Sequence, residues 1–210
     1  MTIYRNIFKR IIDITISTLG LIFLFPILLA IAISIYLFIG SPIFFVQERV
    51  GKKGKVFKMI KFRSMTNEID EFGVLLDDSK RITKLGKFLR STSLDELPEL
   101  INVLKGDMSL IGPRPLLVEY MDLYSDEEFR RHEVYPGITG LAQVKGRNLL
   151  TWEERFKLDV EYVDSVSFFK DICILKDTIL ITLKREGITD GKSVSMESLK
   201  VTRGNKNITL

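Results

Sequence analysis

Apolar positions along the chain gather into one block near the amino terminus. Beyond Lys9, Arg10 and Asp13 no charged residue occurs before Glu48, and Ile14 to Ile39 is a 26-residue stretch whose polar interruptions are Thr15, Ser17, Thr18 and Ser34. A helix of about 20 apolar residues crosses a bilayer, so length permits a span. A secretory signal is excluded, because its apolar region runs to roughly 7–15 residues and this one continues past Ala30-Ile31-Ala32. Pro26 divides the run into Ile14–Phe25 and Ile27–Ile39. At 1.5 Å per residue these halves measure about 18–20 Å, short of a hydrocarbon core about 30 Å thick. Cations flank both ends, Arg5, Lys9 and Arg10 before and Arg49, Lys52, Lys53 and Lys55 after. Positive flanks favour the cytoplasmic side, so the pattern predicts a helix–break–helix hairpin that enters and returns. Backbone groups freed at Pro26 would then need Ser, Thr or water partners. A proline-kinked full span is the alternative.

The remaining pattern is that of one modest mixed domain. Phe44 to Met65 reads as a β-hairpin turning at Gly51-Lys-Lys-Gly54. Ser79 to Arg90 places Ile82, Leu85, Phe88 and Leu89 at helical spacing beside Lys80, Arg81, Lys84, Lys87 and Arg90. That predicts one helix lying in a membrane interface, against the plainer reading of a solvated basic face. Thr151 and Glu154 form a capping box for a helix to Val163, with Trp152, Phe156, Val160 and Val163 facing a core. Ser167 to Arg185 is a second amphipathic helix, with Phe168, Phe169, Ile172, Leu175, Ile179 and Leu183 along one side. It can pack on the domain or lie on the bilayer. Beyond Gly187 the chain is polar and reads as a mobile end. The expected fold class is an α-rich α+β protein: a re-entrant membrane anchor over 1–47, a catalytic-sized domain over 48–187 and a polar tail over 188–210.

Composition narrows the chemistry. With 46% hydrophobic and 28% charged residues, the mean hydropathy of +0.14 requires the segregation just described. The net charge of +4 fits an anionic partner without choosing among lipid headgroup, nucleotide and nucleic acid. One Cys and one His exclude a disulfide framework and a Cys/His zinc site, and a Cys–His dyad would require Cys173 to meet His132. His132, between Arg131 and Glu133, reads as a surface histidine. Asp77-Asp78 before Ser79-Lys80 reads as a solvated turn, and Asn207-Ile-Thr209 as a chance glycosylation match.

The densest chemical candidate is Arg90-Ser-Thr-Ser93-Leu-Asp95-Glu96-Leu-Pro98-Glu99. Ser93 and Glu96 have capping-box spacing, and Pro98 predicts a helix start. The acids can simply begin a helix. Alternatively, carboxylates at a helix N-terminus are held ionised by its dipole and N–H groups, which suits a nucleophile or a Mg²⁺ ligand. A second candidate is Gly112-Pro113-Arg114-Pro115, in which two prolines restrict the backbone around a guanidinium fit to grip a phosphate. The glycine-rich run from Pro136 to Asn148 is weak alone and matches no nucleotide-loop fingerprint.

Together these stretches resemble a known family. Lys9-Arg10 through Asp13, the proline-broken apolar run, Lys61-Phe62-Arg63-Ser64-Met65, Arg90, Ser93-Leu94-Asp95-Glu96-Leu97-Pro98, Asn102 to Ser109, Gly112 to Pro115, and Pro136 to Gly140 through Gly146-Arg147-Asn148 occur in order over nearly the whole chain. They resemble the small monotopic phosphoglycosyl transferases, or bacterial sugar transferases, and are similar to the minimal members that build a polyprenyl-diphosphate-linked bacillosamine derivative. The resemblance implies a re-entrant helix broken at a Ser-Pro pair, with the catalytic domain on the cytoplasmic face of the bacterial inner membrane. Here the pair reads Phe25-Pro26, so the proline is kept and the hydroxyl is absent.

The resemblance further implies that Asp95 attacks the β-phosphorus of a UDP-sugar, such as UDP-diacetylbacillosamine, and expels UMP. Undecaprenyl phosphate then takes the sugar phosphate from Asp95. It implies Mg²⁺ at Asp95, Glu96 orienting the metal or moving a proton, and Arg90, Arg114, Arg147 and Lys61 on phosphates, with Pro113 and Pro115 shaping the loop. Anionic membrane lipids are a further expected partner; nucleic acid is not, and homodimer formation is left open. Two other classes stay open to the residues: a non-catalytic membrane-anchored adaptor, and a glycosyltransferase that releases UDP.

Overall fold

The computed structural model describes residues 3–146, 149–184 and 198–204. The apolar block folds as α1 (Lys9–Phe38), preceded by a wide turn over Tyr4–Phe8. Pro26 lies inside this helix, which runs on through it from the first half of the apolar block to the second. A proline removes a single ladder hydrogen bond, and in apolar surroundings helix is still the only way to satisfy the other backbone groups. Three polar residues of the first turns fasten α1 to the domain. Lys9 Nζ donates to Asp171 at 2.6 Å, Arg10 donates to the Val103 and Leu104 carbonyls, and Asp13 accepts from the Leu110 N–H. At the other end, Ile31 and Ile35 pack against Phe62 and Leu89.

The hairpin forms as expected. Strands β1 (Phe44–Val50) and β2 (Val56–Phe62) pair antiparallel, Phe44 opposite Phe62 and Val50 opposite Val56. The segment 79–90 is not one helix but two, α2 (Asp78–Arg81) and α3 (Lys84–Ser91). Thr83 breaks it: its hydroxyl caps the second helix by accepting from Gly86 N–H, while Ile82 is extended and bridges Met65. Leu89 of α3 is buried and Phe88 is 53% exposed.

Then follow a 3₁₀ turn (Leu94–Glu96), α4 (Glu99–Lys105), β3 (Ser109–Ile111), the short α5 (Asp126–Phe129), β4 (Gly137–Thr139) and α6 (Leu141–Lys145). Strands β3 and β4 are parallel, Ser109 opposite Gly137. Helix α7 (Trp152–Ser165) carries the expected capping box of Thr151 and Glu154 and buries Trp152, Phe156, Val160 and Val163. Helix α8 (Phe168–Lys184) buries Asp171 and Ile174, whereas Phe168, Phe169, Ile172 and Ile179 face outward, Phe169 at 80% exposure. Part of the expected loose end is ordered: α9 (Leu199–Gly204) buries Leu199 beside Tyr120 and Phe156, and Arg203 pairs with Glu128. His132 is not at the surface. It is 4% exposed between Tyr124 and Phe129, and its Nδ1–H donates to the Gly51 carbonyl. Cys173, by contrast, is exposed on α8.

Candidate active site

Asp95 and Glu96 sit on the 3₁₀ turn that delivers the chain into α4, whose N-cap is Pro98. Ser93 does not form the expected capping box. It adopts a left-handed conformation (φ 56°) with its hydroxyl making no cap bond, and that turn presents the two acids side by side. Asn102 of α4 then docks like a missing strand partner: its Nδ2 donates to the Lys58 carbonyl at 2.8 Å, and its Oδ1 accepts from Ile60 N–H at 3.0 Å. This fixes α4 against β2 and brings Lys61, the next residue, to the acids.

Lys61 Nζ donates to Glu96 Oε1 at 2.7 Å and lies 3.1 Å from Glu99 Oε1. Arg114 Nη2 donates to the same Glu96 oxygen at 2.5 Å. Glu96 therefore joins two cations that arrive from different elements. Arg114 is carried on the Pro113–Pro115 loop, which packs backbone to backbone on β4. A Cβ on Gly137 would meet Gly112 N at 2.1 Å, and one on Gly112 would meet the Tyr135 carbonyl at 2.3 Å. Only glycine fits at either place.

The three acids differ in proton affinity. Burial pushes Glu96 up, but Arg114 and Lys61 outweigh it and hold the carboxyl below the usual range. Burial, reinforced by Glu96 and opposed by Lys61, Arg90 and Arg114, raises Asp95 to about 6. Glu99, 1% exposed, is raised by burial against the pull of Lys61. Among the described residues no cluster of three or more Asp, Glu, His or Cys side chains is arranged to hold a metal by itself.

A cavity of about 970 Å³ opens beside this centre. Its lining includes Glu96, Arg114 and Arg90 together with the apolar Ile12 and Ile16 of α1, Leu100 of α4 and Leu175 of α8. Asp95 is 8% exposed and adjoins the lining residue Glu96 in sequence. Arg90 Nε donates to Ser64 Oγ at 2.9 Å. The structure thus brings Asp95, Glu96, Lys61, Arg90 and Arg114 together, while Arg147 lies outside the described residues. Sequence reasoning included Glu99 in the acidic run but gave it no role, and it missed the docking role of Asn102, which had no signal outside the family-like run.

A family model described as bacterial sugar transferase matches residues 4–185. A relative named as an uncharacterized sugar transferase, EpsL of Bacillus subtilis, is 51% identical over 91% of this chain and 95% of its own. The UDP-glucose:undecaprenyl-phosphate glucose-1-phosphate transferase of Klebsiella pneumoniae is 43% identical over 82% of this chain. The undecaprenyl-phosphate galactose phosphotransferase of Salmonella typhimurium is 38% identical over 85%. The match covers 39% and 41% of those two proteins, so the chain spans about two fifths of their length.

Proposed function

The chain belongs to the bacterial sugar transferase family, and on that premise we propose that it moves a sugar-1-phosphate from a UDP-sugar to undecaprenyl phosphate and releases UMP. The observation that carries this reading is the cavity with two chemistries. Arg90 and Arg114 in its lining suit a diphosphate, and its apolar residues from α1, α4 and α8 suit a polyprenyl chain. A nucleotide-sugar alone has no use for those apolar residues.

In the proposed reaction an Asp95 oxygen attacks the β-phosphorus and breaks its bond to the bridging oxygen, which leaves with UMP. An oxygen of undecaprenyl phosphate then attacks the same phosphorus, and the Asp95 carboxylate departs. Arg90, Arg114 and Lys61 supply positive charge where the transferring phosphoryl group gathers negative charge. Glu96 keeps Lys61 and Arg114 in place until phosphate oxygens share them. The donor set fits Mg²⁺, which binds one or two carboxylates together with substrate phosphates. Asp95 would hold it, with Glu96 beside it, and its charge would favour the ionised form of Asp95 and offset that of the diphosphate.

We carry the donor as an N-acetylated amino sugar on the family resemblance; the relatives named for glucose and galactose make those sugars the competing donors. For the membrane we propose a same-side topology. Thirty residues of helix measure about 45 Å, yet Lys9 and Arg10 at one end and Ile31 and Ile35 at the other all rest on the one domain. A helix crossing the bilayer would place its ends on opposite faces. The outward apolar stripe of α8 continues the membrane-facing surface, and the domain faces the cytoplasm of the bacterial inner membrane. Intact-mass measurement without lipid acceptor tests the mechanism. A sugar-phosphate adduct that maps to Asp95 is expected, and is lost in Asp95→Asn; UDP release without any adduct would overturn it.

A further inference from the structure

Arg131 and Asp159 form an ion pair whose side chains are 1% and 2% exposed. Arg131 Nε and Nη2 both donate to Asp159 Oδ2, at 3.0 and 2.8 Å, and the guanidinium lies over the rings of Tyr124 and Phe156. Taking two charges out of water is costly, and replacing a buried pair with apolar residues of similar volume is often neutral or stabilising. Stability is therefore a poor reason for this pair. Its remaining bond supplies a better one: Arg131 Nη2 also donates to the main-chain carbonyl of Arg114 at 2.7 Å.

The surrounding loop makes that bond matter. Pro113 and Pro115 have no N–H to offer, the Pro113 carbonyl is taken by Gly137 N–H, and the Leu116 carbonyl by Val50 N–H. The carbonyl of Arg114 itself is held by a side chain, and the guanidinium of the same residue reaches Glu96. Asp159 also lines the active-site cavity, as does Arg155 one turn earlier on α7, so this pair sits where α7 meets the reaction centre. We propose that Arg131 and Asp159 are a positioning pair, which fixes the main chain of Arg114 and thereby the placement of its guanidinium on Glu96 and on phosphate. The proposal rests on the function argued above.

The test is a double-mutant cycle read as UMP release by the detergent-solubilised full chain. Arg131→Lys keeps the charge and loses the fork, and is expected to lower turnover about 10-fold or more in the wild-type background. In an Arg114→Ala background the same change is expected to add less than about 2-fold, because its route of action is gone. The fall in thermal midpoint should be the same in both backgrounds. Arg131→Met combined with Asp159→Leu should keep the thermal midpoint and still lose turnover. Wild-type turnover in that double variant, or a full Arg131→Lys effect without Arg114, would overturn the proposal. If the apolar variant does not fold, the cycle decides alone. Nuclear magnetic resonance of the Arg114 side chain, without substrate, separates this proposal from the proposed reaction. Resolved, slowly rotating Nη signals that collapse in Arg131→Lys support the pair even if the wild type releases no UMP, and unchanged signals contradict it.

Discussion

Adjacent carboxylates on one short turn end in different electrostatic states. Glu96 is held ionised by two cations, and Asp95 is raised to about 6 by burial beside that fixed negative charge. Glu96→Gln keeps the shape but removes the charge that gathers Lys61 and Arg114. Turnover should fall about 100-fold or more, with the protein still folded by circular dichroism; activity within a few-fold of wild type would dismiss the assigned role. His132 offers a prediction on stability. Burial, then the nearby Arg131, depresses its pKa from 6.5 to about 3. Below 6.5 the unfolded chain binds a proton that the folded chain refuses. This contribution is therefore complete above 6.5 and is lost as pH falls through about 3. At pH 4.5 the loss should reach about 2–3 kcal/mol. The unfolding free-energy difference between wild type and His132→Gln, measured by denaturant at pH 7.5 and 4.5, should change by that amount against the wild type.

At the scale of elements, the site is assembled by close approaches more than by any single motif. The PRP loop meets β4 through Gly112 and Gly137, where any Cβ collides with main chain. Gly137→Ala should destabilise by about 2–4 kcal/mol, read from thermal unfolding, and should lower turnover because Arg114 moves with the loop. The hairpin turning at Gly51–Gly54 and the Thr151-capped helix were legible, since alternation and capping are local signals. The helix over 79–90 was misjudged because Thr83 looks like any polar residue until Ile82 pairs with Met65. The ionic centre was legible only in part. Asp95, Glu96 and Arg114 announce themselves by dense acids and paired prolines, and Lys61 was reached through resemblance. Asn102, Glu99, Arg131 and Asp159 depend on tertiary placement that no local pattern encodes. His132 was misread for the same reason, its charged neighbours concealing an aromatic pocket.

For the whole molecule, the apolar helix and the domain are one structure and not an anchor on a tether. Arg10 caps the last carbonyls of α4, the helix that follows the Asp95–Glu96 turn, so the apolar helix and the candidate site share a support. The proposed same-side topology can be tested on this arrangement. With Cys173 replaced by Ser, single cysteines at Asn6 and Glu71 should both react with a membrane-impermeant maleimide only from the cytoplasmic side. Labelling from opposite sides would refute the same-side helix.

Transfer of phosphate together with sugar is read from the identity of the released nucleotide. Purified protein would be given Mg²⁺, undecaprenyl phosphate and, separately, UDP-glucose, UDP-galactose and UDP-diacetylbacillosamine, with UMP and UDP measured independently. UMP from one of these donors, absent in Asp95→Asn, is the expected result, and the reactive donor names the sugar. UDP in place of UMP would contradict the account.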